Sequence, residues 1–164
     1  MILIDAFNLI YKFPDLEELM YNNQLFEARQ GLIKKISLYH QHRKKKEQIK
    51  IIIDGKKKPS DATKKENISN LEIFYSHDYS ADFLIKNMIQ KGLNPKMITV
   101  VTSDKDILKF AKSFKTKMIK SEKFSDLVNL AIAKITEPLK PEKETNPKIS
   151  AEEISYWEKE FQGE

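Results

Sequence analysis

The chain of 164 residues carries 29 basic and 24 acidic side chains, a formal net charge of +5, and no cysteine. Its length suits one domain able to bury roughly two thirds of its extended-chain surface, and the missing thiols exclude disulfides, thiol catalysis and cysteine-ligated zinc. The positive balance fits a nucleic acid or an anionic membrane surface as readily as plain solubility.

Residues 1–4 form a short apolar run that predicts a first strand, closed by Asp5. A charge this early leaves no apolar stretch of signal-peptide length. No window approaches the roughly 20 apolar residues of a membrane span. A cytoplasmic protein with no membrane partner is therefore expected. A polar and aromatic loop follows, punctuated by Pro14. Residues 15–42 read as mostly helical, because Leu25, Ala28, Leu32, Ile36 and Tyr39 recur at spacings of three and four. Gly31 weakens that pattern slightly. Arg43, Lys44, Lys45 and Lys46 suit the carbonyl end of the helix dipole.

Ile49–Ile53 predicts a second strand, ending at the Asp54-Gly55 turn signal. Residues 56–67 are basic, polar and unpatterned, and read as a loop. Leu71–Tyr75 is the third strand. Residues 79–91 are a helix with Ala81, Leu84, Ile85, Met88 and Ile89 on its apolar face and Gly92 as its stop. Asp78 reads as the cap of that helix. Residues 97–101 predict a fourth strand, 104–113 a short helix, 116–119 a fifth strand, and 125–135 a last core helix. Residues 137–149 are rich in proline and charge and read as a linker. Ser150-Ala151-Glu152-Glu153 is a capping box before a tail helix at 150–164, whose Ile154, Trp157 and Phe161 share one face. The tail is expected to dock on its own domain, residues 1–136, since it is too short to be stable alone.

Alternation of β-branched strands with helices predicts an α/β three-layer sandwich around a mostly parallel, five-stranded sheet. Such a sheet places its site at the C-terminal strand ends. Three strands end in acid: Asp5 with Asn8 after it, Asp54, and Asp104 with Asp106 after it. Asp82 lies in the first turn of a helix. Converging carboxylates repel and raise one another's pKa, and a hard divalent cation relieves the repulsion. That cation can orient a water and stabilise charge on a transferring phosphoryl group. Asp and Asn are also ordinary cap and turn residues, a reading at least as good for Asp54 alone. His40, His42 and His77 lack zinc-site spacing. No phosphate-binding glycine motif and no Gly-x-Ser-x-Gly elbow occurs.

Leu3-Ile4-Asp5-Ala6-Phe7-Asn8 resembles the VDGYN opening of NYN domains. Ile53-Asp54-Gly55 resembles their second-strand ending, Ser80-Ala81-Asp82 with Ile85 their (S/T)AD…I helix start, and Val101-Thr102-Ser103-Asp104-Lys105-Asp106 their VTSD.D segment. The tail, from Ile149 through Glu152, Glu153 and Trp157 to Phe161, resembles the ending of the YacP-like branch of this PIN-like superfamily. Ala6-Phe7 departs from the usual Gly-Tyr and removes a tyrosine hydroxyl.

The resemblance implies a PIN-like fold and a metal-dependent endoribonuclease using Mg²⁺ or Mn²⁺, with RNA and the ribosome as partners. It implies Asp5, Asp82 and Asp104 as metal ligands and catalytic groups, Asp106 as a further or water-mediated ligand, and Asn8, Asp54, Thr102 and Ser103 as supports. Backbone contacts to RNA are expected from Arg43, Lys44, Lys45, Lys46, Lys56, Lys57, Lys58, Lys64 and Lys65, against a solvated face as the alternative. The competing function is a non-catalytic RNA- or ribosome-binding module on the same fold.

Overall fold

The structure is a computed structural model that describes residues 1–137 and 151–162. Most of the predicted linker and the Ser150 cap lie outside the described residues. Strand β1 (Ile2–Asp5) runs into α1 (Ala6–Ile10), α2 (Pro14–Tyr21) and α3 (Leu25–His42) before β2 (Ile49–Ile53). Strands β3 (Lys65–Ile68) and β4 (Leu71–Tyr75) form a hairpin, followed by α4 (Ala81–Lys91). Then come β5 (Thr99–Val101), α5 (Lys105–Ser113), β6 (Lys117–Ile119), α6 (Ser121–Thr136) and α7 (Ala151–Gln162).

The sheet has six strands in the order β3-β4-β2-β1-β5-β6, so the expected five-stranded sheet is corrected. The sixth strand is β3, which lies in the segment read as a loop. It pairs antiparallel with β4 at the sheet edge, while every other pairing is parallel. Its residues Lys65, Glu66, Asn67 and Ile68 are at best half-buried, so an apolar pattern never develops. Charged, polar edge strands of this kind resist pairing with other chains. Ser69 and Asn70, with φ of 50° and 65°, make the tight turn into β4.

Helices cover both faces, as the nearly unbroken apolar strands require. Ile2, Ile4, Ile49, Ile51 and Ile53 face a core shared with α1, α2, α3 and α6. Leu3, Ile52 and Val100 face the other way, against Ile85 and Ile89 of α4 and Ile107 and Ala111 of α5. The segment read as one helix at 15–42 is two, broken where Asn23 adopts φ 57°. Gly31 is explained by this break: a Cβ there would lie 2.5 Å from Leu16 Cδ2, so glycine lets α2 close onto α3.

On α7, Phe161 is buried and Trp157 packs against the same core. Arg43 donates to the Phe161 carbonyl at 2.8 Å and stacks on the Tyr39 and Phe161 rings. Among the described residues no helix is long and apolar enough to cross a membrane.

Candidate carboxylate site at the strand ends

Strands β1 and β5 are neighbours whose outgoing connections lead to opposite faces of the sheet, one to α1 and one to α5. The crevice between their C-terminal ends is where open α/β sheets place ligands. Asp5 ends β1, and Thr102, Ser103 and Asp104 follow β5.

Thr102 is fully buried and its hydroxyl works in both directions. It donates to Asp5 Oδ2 at 2.9 Å and accepts the Asp104 amide at 3.1 Å. One side chain thereby fixes the Asp5 carboxylate relative to the turn that carries Asp104. Asp104 is the N-cap of α5, its Oδ1 accepting from the amides of Asp106 and Ile107 at 2.8 and 3.1 Å. Asn8 does not touch Asp5 through its side-chain oxygen. Asn8 Oδ1 instead accepts from the Ser103 amide at 2.8 Å and from the Ser121 hydroxyl at 2.7 Å, joining α1 to β5 and α6.

Burial pushes the Asp5 carboxyl up to about 6. The Thr102 hydroxyl and the Asn8 amide oppose that rise, and the charges of Asp104 and Asp82 add to it. Asp82 reaches the group from the first turn of α4. Its Oδ2 is paired with Lys86 at 3.1 Å, while its Oδ1 is buried without a hydrogen-bond partner. The structure therefore brings Asp82 and Asp104 within electrostatic reach of Asp5. Asp106 is exposed on α5.

Hard carboxylate oxygens, mutual repulsion and an orphaned buried oxygen on Asp82 suit a small divalent cation. Two facts pull the other way. Lys86 already pairs with Asp82, and among the described residues no group of three or more His, Cys, Asp or Glu is spaced to hold a metal.

Asp54 follows β2 but is occupied elsewhere. Its Oδ1 accepts from the Ala81 amide at 2.9 Å and from Ser76 Oγ at 3.2 Å. It thus helps start α4, where Ser80 is the N-cap, accepting the Phe83 amide at 3.0 Å. The capping role expected of Asp78 belongs to Ser80.

The basic residues divide. Arg43 is nearly buried in an ion pair with Glu47 at 3.1 Å, and Lys46 Nζ donates to the carbonyls of His40 and Gln41, closing α3. Lys57 pairs with Glu66 and Lys65 with Glu72. Lys44, Lys45, Lys56, Lys58 and Lys64 are exposed.

Three further residues hold the site. Arg29, buried on α3, donates to the Asp54 carbonyl and the Lys56 carbonyl at 2.8 Å each, pinning the start of the basic loop. Its spacing with Leu32, Ile33 and Ile36 on the apolar stripe was a legible signal. Ser121 donates its amide to Ser103 Oγ at 3.0 Å, and Glu122 accepts from Ser103 Oγ at 2.5 Å and pairs with Lys12 at 2.9 Å. The Ser103 hydrogen bond, then Lys12, pulls the Glu122 carboxyl down to about 2. The α6 helix begins at Ser121 rather than at 125, which hid both residues. A cleft of about 310 Å³ between α3, α6 and α7, lined by Tyr39, Leu127, Ile154 and Phe161 among others, contains none of the candidate aspartates.

Residues 2–162 match the family described as the YacP-like NYN domain. The crystal structure of Rae1 (YacP) from Bacillus subtilis superposes with a TM-score of 0.64 at 22% identity, over 82% of this chain and 76% of that one. A tryptophan-to-leucine variant of the same protein gives 0.66 at 21% identity, over 82% and 77%. No curated protein matches. At this identity the likeness to solved structures speaks for the fold.

Proposed function

Because the chain belongs to the YacP-like NYN domain family, we propose that it is a divalent-metal-dependent endoribonuclease hydrolysing phosphodiester bonds of RNA, with ribosome-associated messenger RNA as its substrate class. The observation that carries this reading is the Asp5 carboxylate. It is mostly buried, tied through Thr102 to the Asp104 turn, and repelled by both Asp104 and Asp82. A fold bears such an arrangement more readily for function than for stability.

Asp5, Asp82 and Asp104 would hold Mg²⁺ or Mn²⁺, with Asp106 as an outer member. When bound, the cation supplies positive charge for a water attacking the phosphorus and for the phosphoryl oxygens. The chain's own residues do the positioning. Thr102 orients Asp5, Asn8 and Ser121 hold Ser103, and Asp54 and Ser76 fix the start of α4 that carries Asp82. Water adds to phosphorus, the bond to the 3′ oxygen breaks, and that oxygen takes up a proton. The products are a 5′-phosphate and a 3′-hydroxyl. Lys56, Lys58 and Lys64 supply exposed positive charge on the loop after Asp54 for the RNA backbone. The same reading takes residues 1–136 as the nuclease body with α7 docked on it, supported by the buried Phe161.

Two observations favour a second reading, a non-catalytic RNA- or ribosome-binding module. Among the described residues the acids are not spaced to hold a metal, and Lys86 occupies Asp82. Calorimetry with Mn²⁺ on wild type and Asp82→Asn, followed by end-group analysis of both fragments of cleaved RNA, separates the two. Saturable binding lost in the variant, with 5′-phosphate products, is expected. A 2′,3′-cyclic phosphate product would overturn the hydrolytic mechanism. RNA binding with neither cation binding nor cleavage would move the protein to the second reading.

A further inference from the structure

Tyr79 and Phe83 flank Asp82 on the loop and first turn that open α4. Their rings are stacked, with centroids 4.9 Å apart and planes 15° from parallel, and both remain in solvent, Tyr79 at 63% and Phe83 at 49% exposure. An aromatic pair that served only to clamp the entry of a helix would be expected to bury its faces against the turn it clamps. Here the pair is preformed and still largely open, and Phe83 follows the candidate metal ligand Asp82 directly in sequence.

Its surroundings select the occupant. Asp54 Oδ1 holds the Ala81 amide, and the backbone just after Asp54 enters the basic loop with exposed Lys56 and Lys58. Arg29 fixes both the Asp54 and Lys56 carbonyls. The aromatic pair and the cationic loop are thus both tied to Asp54, the pair through the start of α4 and the loop through Arg29 of α3. An exposed π-face and positive charge reached from the same strand end match a nucleobase with its phosphate, and only an unpaired base offers a free face. The net charge of +5 adds general attraction for a polyanion.

We infer that Tyr79 and Phe83 form a stacking platform for an unpaired base of the RNA that the carboxylate centre would cut. This rests on the reading of Asp5, Asp82 and Asp104 as the hydrolytic centre.

The test measures binding without metal, in EDTA, so that it is independent of cleavage. Fluorescence anisotropy with a labelled 12-nucleotide single-stranded RNA and a blunt RNA duplex would compare wild type with Tyr79→Ala/Phe83→Ala and Tyr79→Phe. The expected result is a weakening of single-strand binding on the order of tenfold in the double variant. Duplex binding should be little changed, and Tyr79→Phe should bind as wild type. Thermal unfolding of each variant runs alongside.

Unchanged single-strand affinity in a folded double variant overturns the platform. So does an equal loss on strand and duplex that tracks a fall in Tm, which would leave the pair as a helix clamp. Selective loss of single-strand binding in a protein that nevertheless cuts no RNA would uphold the platform while defeating the nuclease reading, so the two failures are distinguishable.

Discussion

Asp5 and Asp54 close adjacent parallel strands after runs of apolar residues, Ile2-Leu3-Ile4 and Ile51-Ile52-Ile53, yet the two ends are built for different ends of the energy scale. Asp54 is exposed, and its side chain accepts from the Ala81 amide and the Ser76 hydroxyl. It joins β2, β4 and α4, and every contact lowers the energy of the fold. Asp5 is buried enough that its carboxyl sits near 6, and Asp104 and Asp82 repel it further. One aspartate stabilises the molecule; the other is held at a cost. The difference comes from strand order, since β1 lies between β2 and β5 at the point where the connections part.

The sharpest break of that comparison is Asp5→Asn. The amide still accepts from Thr102 while removing a buried charge and its repulsion, so the metal-free fold should gain about 1–2 kcal/mol at neutral pH. Metal-dependent cleavage should fall by about a hundredfold or more. Thermal unfolding and RNA cleavage on the same preparation check both halves. A variant that loses stability would show that Asp5 belongs with Asp54 among the structural acids.

The placement of acids at strand ends was readable because a parallel sheet converts three separate sequence positions into one edge. Other features depended on partners distant in the chain. Strand β3 exists because β4 offers it an edge, not because Lys65, Glu66 and Asn67 favour a strand, so the loop assignment was reasonable and the strand count was one short. Ala6–Ile10 is helical although a polar and aromatic loop was expected; Ala6, Leu9 and Ile10 are buried in the core beneath β1. Ser80, rather than Asp78, caps α4, a difference of two positions that composition cannot resolve. Ser121 and Glu122 were hidden for a similar reason. Their partners, Asn8, Ser103 and Lys12, come from elements far away in sequence.

Asp54→Ala probes the other side of the comparison and should move the opposite quantity. The Ala81 amide and the Ser76 hydroxyl lose their acceptor, at a cost of about 1–2 kcal/mol. Denaturant unfolding measures that loss. Cleavage per folded molecule should fall far less than for Asp5→Asn, because Asp54 acts on Asp82 only through the start of α4. Loss of cleavage as deep as that of Asp5→Asn, without loss of stability, would place Asp54 among the ligands and dissolve the contrast.

The smallest expected effect tests whether the hydroxyl network around Ser103 behaves like the Asp54 side, as stabilising structure. Glu122 is the acid to use, because it lies outside the candidate ligand set while its partner Ser103 adjoins Asp104. The Ser103 hydroxyl and Lys12 hold its carboxyl near 2, below the ordinary glutamate value of 4.5. A depressed folded-state value contributes stability that is fully present above the unfolded value. That contribution drains away as pH falls from about 4.5 towards 2. Its size is small, since Glu122 is largely exposed and solvent screens the pair. Glu122→Gln should therefore leave the fold slightly less stable at pH 7, with the gap to wild type closing as pH drops through that window. Urea unfolding at pH 7, 4.5 and 3 reads the difference directly. A gap that persists unchanged at pH 3 would mean that Glu122 acts through shape rather than charge, and the acids of this edge would then divide by packing instead of electrostatics.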